Sequence, residues 1–312
     1  MNKKDKSTTM NLTGIREDID SIDIQIQSLI NQRAGLAKNI GLSKNKNGTS
    51  TDFYRPEREA DVLRSVLKRN QGPLKDEEMV RLFREIMSAC LAQQEPLKVG
   101  FLGPEGTFTQ AAVYKHFGHS VRALPYGTID EVFHEVESHA ADFGVVPIEN
   151  STEGTVNNTL DMFLSSPLII CGEIELRIEH HLIGKMKDLN KIKRICAHEQ
   201  ALAQCRGWVR EYLPEVELIG VNSNAVGARR ARDEKGTAAI GGDTAVDIYD
   251  LNVLTRSIED RSDNTTRFLV VGRDMIAKSG NDKTTILLSA DDTKTGAGVL
   301  YSILEPFSTN NI

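Results

Sequence analysis

Four polar residues stand where the helical pattern calls for apolar ones. Arg33 falls four residues after Leu29 and three before Leu36, and Lys44 extends the same face through Ala37 and Ile40. Glu59 precedes Leu63 and Val66 at helical spacings, and Gln94 follows Phe83, Met87 and Cys90. Charge on an interior face is costly unless it is paired or solvated. Two readings follow: an internal ion-pair network of Arg33 and Lys44 with Glu59, or a polar pocket inside a bundle that receives an anionic ligand.

A second set lies at the ends of apolar runs. VVPIENSTEGTV presents Glu149, Asn150, Ser151, Thr152 and Glu153 together, and Asn264-Thr265-Thr266-Arg267-Phe268 lies just before FLVV. Gly103-Pro104-Glu105-Gly106-Thr107 follows an apolar run and leads into a helix, an arrangement that binds anions through free N–H groups but also serves as a plain connection. The structural alternatives are a helix cap at Asn150 or Ser151 and an ordinary β-branched strand residue at Thr266.

These residues need three kinds of scaffold. Apolar residues from Leu12 to Ile40 recur at spacings of three and four, which predicts one helix of about thirty residues. A helix that long needs a bundle or a second chain to cover it. Pro56 opens a second helix carrying Leu63, Val66 and Leu67; Gly72-Pro73 breaks it; a third runs from Asp76 to Gln94. Near Leu97 the pattern changes to short apolar runs alternating with helices, which predicts an α/β region with a largely parallel sheet. Ser279-Gly280-Asn281-Asp282 reads as a linker, followed by a strand over Thr284–Ala290 and an amphipathic helix with Val299, Leu300, Ile303, Leu304 and Phe307. The expected divisions are 1–96, 97–279 and 280–312.

Composition narrows the classes. A net charge of −6 argues against general nucleic-acid binding, and no apolar run approaches a membrane span. The polar start, Met1 to Met10, lacks the apolar core of a secretory signal, so a cytoplasmic location is expected. Cys90, Cys171, Cys196 and Cys205 form no CxxC pair and read as small buried hydrophobes. Neither a metal nor a cofactor is expected.

The segments IREDIDSID, NQRAGLAKNIGLSK, YRPERE and RLFREIMSACLAQQ resemble, in order, the all-helical chorismate mutases fused to prephenate dehydratases. The resemblance implies an intertwined homodimer with chorismate in the bundle core. Arg16 and Arg33 would then bind the substrate carboxylates, Arg16 in the partner chain's pocket. Lys44 and Gln94 would hydrogen-bond the ether oxygen, and Arg58 and Glu59 would meet the ring side, Glu59 taking the hydroxyl. A Claisen rearrangement needs no nucleophile, only a held conformer and stabilised charge, which suits these residue types. Arg55 and Cys90 stand where some members carry an acid and a serine.

GPEGTFT, VVPIENSTEG, HEQALAQC, NSNAVGARRA and NTTRF are similar, again in order, to prephenate dehydratases. That family implies two α/β lobes with the site between them, laid out like periplasmic binding proteins, and conversion of prephenate to phenylpyruvate in phenylalanine biosynthesis. Thr266 would protonate the departing hydroxyl as carbon dioxide leaves, and Arg267 would orient a substrate carboxylate. Glu149, Asn150, Ser151 and Gln200 would line the cleft, with Thr107 and Asn224 as further candidates. TGAGVLY resembles the opening of an ACT regulatory domain, where family members bind L-phenylalanine. One strand and one helix of that domain are expected, and with them a loss of normal phenylalanine inhibition. Two other readings are a dehydratase whose helices only dimerise and a non-catalytic sensor. Arg16, Arg33, Lys44, Glu59 and Gln94 speak against the first, and an intact Thr266-Arg267-Phe268 against the second.

Overall fold

The computed structural model describes residues 12–46, 54–288 and 298–312, with the side chains of 44–46 outside that set. Helix α1 (Leu12–Lys46) is followed by α2 (Pro56–Arg69), opened by Pro56 as its sequence requires, and α3 (Asp76–Leu91). Leu63 and Val66 are buried on α2 as expected while Leu67 is exposed; on α3 Cys90 is buried, the expected Met79, Phe83, Ile86 and Met87 are half-buried, and Ser88 is buried beside them. The stripe on α1 is open to solvent in the single chain. Ile19, Ile26, Leu29, Leu36 and Ile40 are 49–66% exposed.

From Lys98 the chain builds two lobes. The first begins with β1 (Lys98–Leu102), α4 (Phe108–Phe117), β2 (Arg122–Tyr126), α5 (Ile129–Glu137), β3 (Phe143–Asn150), β4 (Gly154–Thr155), α6 (Asn157–Ser165) and β5 (Ile169–Arg177). The second holds β6 (His181–Gly184), β7 (Arg194–Ala197), α7 (Glu199–Gln204), α8 (Arg206–Tyr212), β8 (Glu217–Gly220), α9 (Asn224–Asp233), β9 (Thr237–Gly241), α10 (Asp243–Tyr249) and β10 (Asn252–Thr255). The chain then returns to the first lobe as β11 (Thr265–Gly272). The sheet orders are β2-β1-β3-β11-β5, with β4 beside β3, and β10-β6-β9-β7-β8.

The helical segment and two-lobed α/β region match the expected fold class, but the sheets are mixed and not largely parallel. β1 runs parallel to β2 and β3, whereas β11 is antiparallel to both β3 and β5. In the other sheet β6 is antiparallel to β9 and β10. The cause is topological: a strand that enters after crossing from the other lobe arrives from the opposite end. The two crossings lie side by side, with Ile178 N donating to Asn264 O at 2.9 Å and Ile258 N to His180 O at 2.8 Å.

β11 is apolar on both faces, as a central strand must be. Phe268 and Val270 join Phe101, Val113 and Phe117 on the α4 side, while Leu269 and Val271 join Val132, Phe133 and Val136 on the α5 side. Residues 280–312 form a separate unit containing α11 (Val299–Thr309). The expected terminal helix is there. Residues 284–288 form no strand, in contrast to the expectation, and the rest of that expected strand and the TGAG turn lie outside the described residues. No helix among the described residues is long and apolar enough to cross a membrane.

Candidate active sites

Glu59 lies in the first turn of α2 and is largely buried, 16% exposed. Its Oε1 accepts from Arg84 Nε at 3.4 Å. Burial raises the Glu59 carboxyl above its ordinary range, against the lowering effect of Arg84 and of a hydrogen bond from Tyr54. Tyr54 is shifted well upward, first by burial and then by Glu59. Gln94 packs over α1: a Cβ on Gly41 would meet its Cγ at 2.8 Å, and its Oε1 is buried without a partner among the described residues. An unpaired buried carbonyl oxygen is costly. Arg33 is half-buried on α1, whereas Arg16 and Arg58 are exposed. Among the described residues Glu59 pairs with Arg84 and not with Arg33; the Lys44 half of the expected ion-pair network lies outside them. Lys44 falls within α1, its side chain outside the described residues. Cys90 is buried, and Arg55 approaches Glu57 at 4.0 Å.

The second constellation is built where β3 meets β11. Thr266 is 9% exposed and stands opposite Asn150 in the strand register. Asn150 Oδ1 accepts from the backbone N–H groups of Thr152 and Glu153 at 2.9 and 3.2 Å, which fixes the orientation of its amide. Asn150 Nδ2 must therefore donate, to Thr266 Oγ1 at 2.7 Å and to Asn264 Oδ1 at 3.0 Å. The same polarity runs outward. Asn264 Nδ2 donates to Gln204 Oε1 at 3.0 Å, and that oxygen also meets His180 Nε2 at 2.8 Å, so His180 carries its proton on Nε2. Burial lowers the His180 pKa and keeps the ring neutral. Ser151 Oγ accepts from Thr265 N at 3.0 Å and joins the same cluster. The cap reading of Asn150 and Ser151 gives way to this arrangement, because α6 starts later, with Val156 at its N-cap.

The other expected members separate. Register shifts between Arg267 and Phe268, where Glu149 and Pro147 are their partners on β3 and Ile148 is left over. Such a bulge puts two consecutive side chains on one face. Glu149 is thereby turned away from Thr266 and meets Arg267, which lies on the opposite face from Thr266 because strand residues alternate. Arg267 Nη1 lies 2.5 Å from Glu149 and its Nε 3.0 Å from Glu173, and both pairings raise the guanidinium pKa, that with Glu173 most. Asn150 and Glu149, expected together, thus face opposite sides of the sheet, and Arg267, expected to orient or neutralise a substrate carboxylate, is held here by Glu149 and Glu173.

Gln200 lies in the first turn of α7, its N–H donating to His198 Nδ1 at 3.3 Å. Asn224 Oδ1 accepts from His198 N at 2.9 Å. Thr107 caps α4 through Gln110 N. Gly106, at φ +84°, could not be another residue: a Cβ there would meet the Tyr249 ring at 2.7 Å, and the Tyr249 hydroxyl donates to Glu105 O across the lobes at 2.8 Å. Sequence reasoning missed Arg84, Tyr54, Asn264, Gln204 and His180. Two signals were available: Arg84 edges the inward stripe three residues before Met87, and Asn264 opens the NTTRF segment.

Comparison with known proteins matches both parts of the chain. Residues 15–95 match the family model for chorismate mutase type II, and residues 99–276 match that for prephenate dehydratase. The bifunctional chorismate mutase/prephenate dehydratase of Pseudomonas aeruginosa is 50% identical over 305 residues, covering 96% of this chain and 83% of its own. The prephenate dehydratase of Bacillus subtilis is 33% identical over 69% of this chain and 80% of its own. The crystal structure of Arthrobacter aurescens prephenate dehydratase in complex with L-Phe superposes with a TM-score of 0.59 at 32% identity, over 68% of this chain and 72% of that one. With a helical segment and an α/β segment matched in that order and half the residues shared across nearly its whole length, the chain belongs to the bifunctional chorismate mutase/prephenate dehydratase family.

Proposed function

We propose that this chain rearranges chorismate to prephenate in its helical segment and converts prephenate to phenylpyruvate in its two-lobed region, as a cytoplasmic enzyme of phenylalanine biosynthesis. The observation that carries the second half is the polarity at Thr266. Its oxygen accepts from Asn150 Nδ2 at 2.7 Å, so its own proton is available to a group in the cleft. In the reaction the ring carboxylate leaves as carbon dioxide and its bonding pair enters the ring. The ring C–O bond breaks, and the departing hydroxyl takes the Thr266 proton and leaves as water. Thr266 regains a proton from solvent. A neutral hydroxyl is a weak acid, so positioning must supply much of the rate. Ser151 and Gln200 are proposed substrate contacts, and Glu149 with Arg267 holds the ends of β3 and β11 in register.

In the helical segment Lys44 and Gln94 are proposed to meet the ether oxygen, Glu59 the hydroxyl, and Arg16, Arg33 and Arg58 the carboxylates and ring side. The open stripe on α1 supports pairing with a second copy, which would cover Ile26, Leu29 and Leu36. L-phenylalanine, bound by the Arthrobacter protein, is the proposed effector class to titrate. The deciding experiment follows chorismate, prephenate and phenylpyruvate over time with purified protein at neutral pH. Passage to phenylpyruvate supports both activities; prephenate accumulating alone removes the dehydratase; loss of chorismate no faster than in buffer removes the mutase.

A further inference from the structure

Arg84 stands between the two constellations. From α3 its Nε reaches Glu59 Oε1 at 3.4 Å, and its Nη1 donates to Lys115 O at 2.9 Å. That carbonyl lies in the last turn of α4, where backbone oxygens have no helical partner and carry partial negative charge. One guanidinium therefore caps a helix of the dehydratase lobe and holds the Glu59 carboxylate. The surroundings make the hold firm. Tyr54, just ahead of α2, packs its ring against Phe117 and Phe143 with centroids 5.5 and 5.4 Å away. Ser88 of α3 sits so close to Gly118 that a Cβ there would meet its own Cβ at 2.6 Å.

We infer that Arg84 is a positioning residue for the mutase reaction, aiming Glu59 and keeping it ionised from an anchor on the dehydratase lobe. The inference rests on the reading that Glu59 meets the substrate. The titratable groups facing the pair are the Tyr54 phenol and, from α4, the His116 imidazole, which burial and Arg84 hold at about 4. Neither changes charge near neutrality, so the acid limb of the mutase pH–rate profile reports Glu59.

The test uses the full chain and two variants. Arg84→Ala removes anchor and charge; Arg84→Gln ends where Nε stands, so it keeps an amide beside Glu59 but loses the charge and the anchor on the Lys115 carbonyl. Both are expected to lower mutase kcat/KM roughly tenfold, the scale of one charge-assisted hydrogen bond, and to move the acid limb to higher pH. Arg84→Lys is expected to return the limb toward its original position. Dehydratase turnover of added prephenate, measured on the same samples, is expected to stay within about twofold and serves as the control for folding. An unmoved acid limb in Arg84→Gln overturns the inference, as does an equal fall of both activities in every variant. Glu59→Gln separates this failure from that of the underlying reading. Full mutase activity there removes Glu59 from the reaction altogether, whereas its loss beside an unimpaired Arg84→Gln refutes only the role of Arg84.

Discussion

Asn150→Asp is a near-isosteric change that reverses one hydrogen bond. In the parent, Nδ2 donates to Thr266 Oγ1 at 2.7 Å and to Asn264 Oδ1 at 3.0 Å. A carboxylate in its place can donate to neither. It would face the Asn264 oxygen as a second acceptor and would draw the Thr266 proton to itself. A hydrogen bond to a charged group contributes about 1.5–3 kcal/mol, and this much must be overcome before Thr266 can deliver its proton elsewhere. At about 1.4 kcal/mol per factor of ten, dehydratase kcat should fall by about tenfold to a hundredfold. Asn150→Ala, which only releases Thr266, should lose less. The deficit in Asn150→Asp should shrink as the pH falls, since a protonated carboxyl recovers a donor. The assay is phenylpyruvate formation from prephenate across pH, with chorismate consumption as the control. A dehydratase kcat within about twofold of the parent at neutral pH would refute the polarity argument.

Thr266→Ala should lower dehydratase turnover by about 10²–10⁴-fold, the usual contribution of a positioned acid, while Thr266→Ser retains most of it and both keep mutase activity. Arg267→Met leaves Glu149 and Glu173 facing each other; because the pair is part-exposed, a loss of only about 1 kcal/mol in stability is expected by denaturant titration. Leu29→Asp, at a position 63% exposed in the single chain, should halve the mass seen by sedimentation and lower mutase activity with the dehydratase retained. His116 is held at about 4 by burial and by Arg84, against 6.5 as its ordinary value. A depressed histidine stabilises the fold above its unfolded pKa, and that contribution is lost as pH falls from 6.5 toward 4. A decline of about 3 kcal/mol over that window is expected, and His116→Gln should flatten it in pH-dependent melts.

The helical stripes were readable because their period is local. Leu63 and Val66 point inward as their spacing requires, and Pro56 starts α2 where a residue without an N–H fits best. The strand-end cluster was readable for a similar reason: a buried run that ends in Glu149, Asn150 and Ser151 has more polar groups than a cap can use. What escaped were properties of two strands at once. The bulge beside Ile148 leaves no mark in β3 itself, because it is a mismatch of counts between neighbours. Simple alternation would have placed Glu149 on the side of Thr266, and the extra residue reverses that. Arg84 escaped because both of its partners lie in other segments, Glu59 on α2 and Lys115 on α4. The direction of β11 depends on a double crossing that no single run of residues records.

The position of β11 also orders events during synthesis. It lies between β3 and β5, yet it is the last strand of its sheet to leave the ribosome, after all of the second lobe. Until it arrives, β3 and β5 present unpaired edges toward one another, the kind of surface that recruits foreign strands. The second lobe is an insert that can finish folding during this wait, since domains generally fold as units while the chain emerges. Thr266 enters with that final strand, so the proposed proton donor is delivered by the same step that seals the sheet. A ribosome that stops short of Gly272 therefore releases a chain with two open edges, and not a slower enzyme.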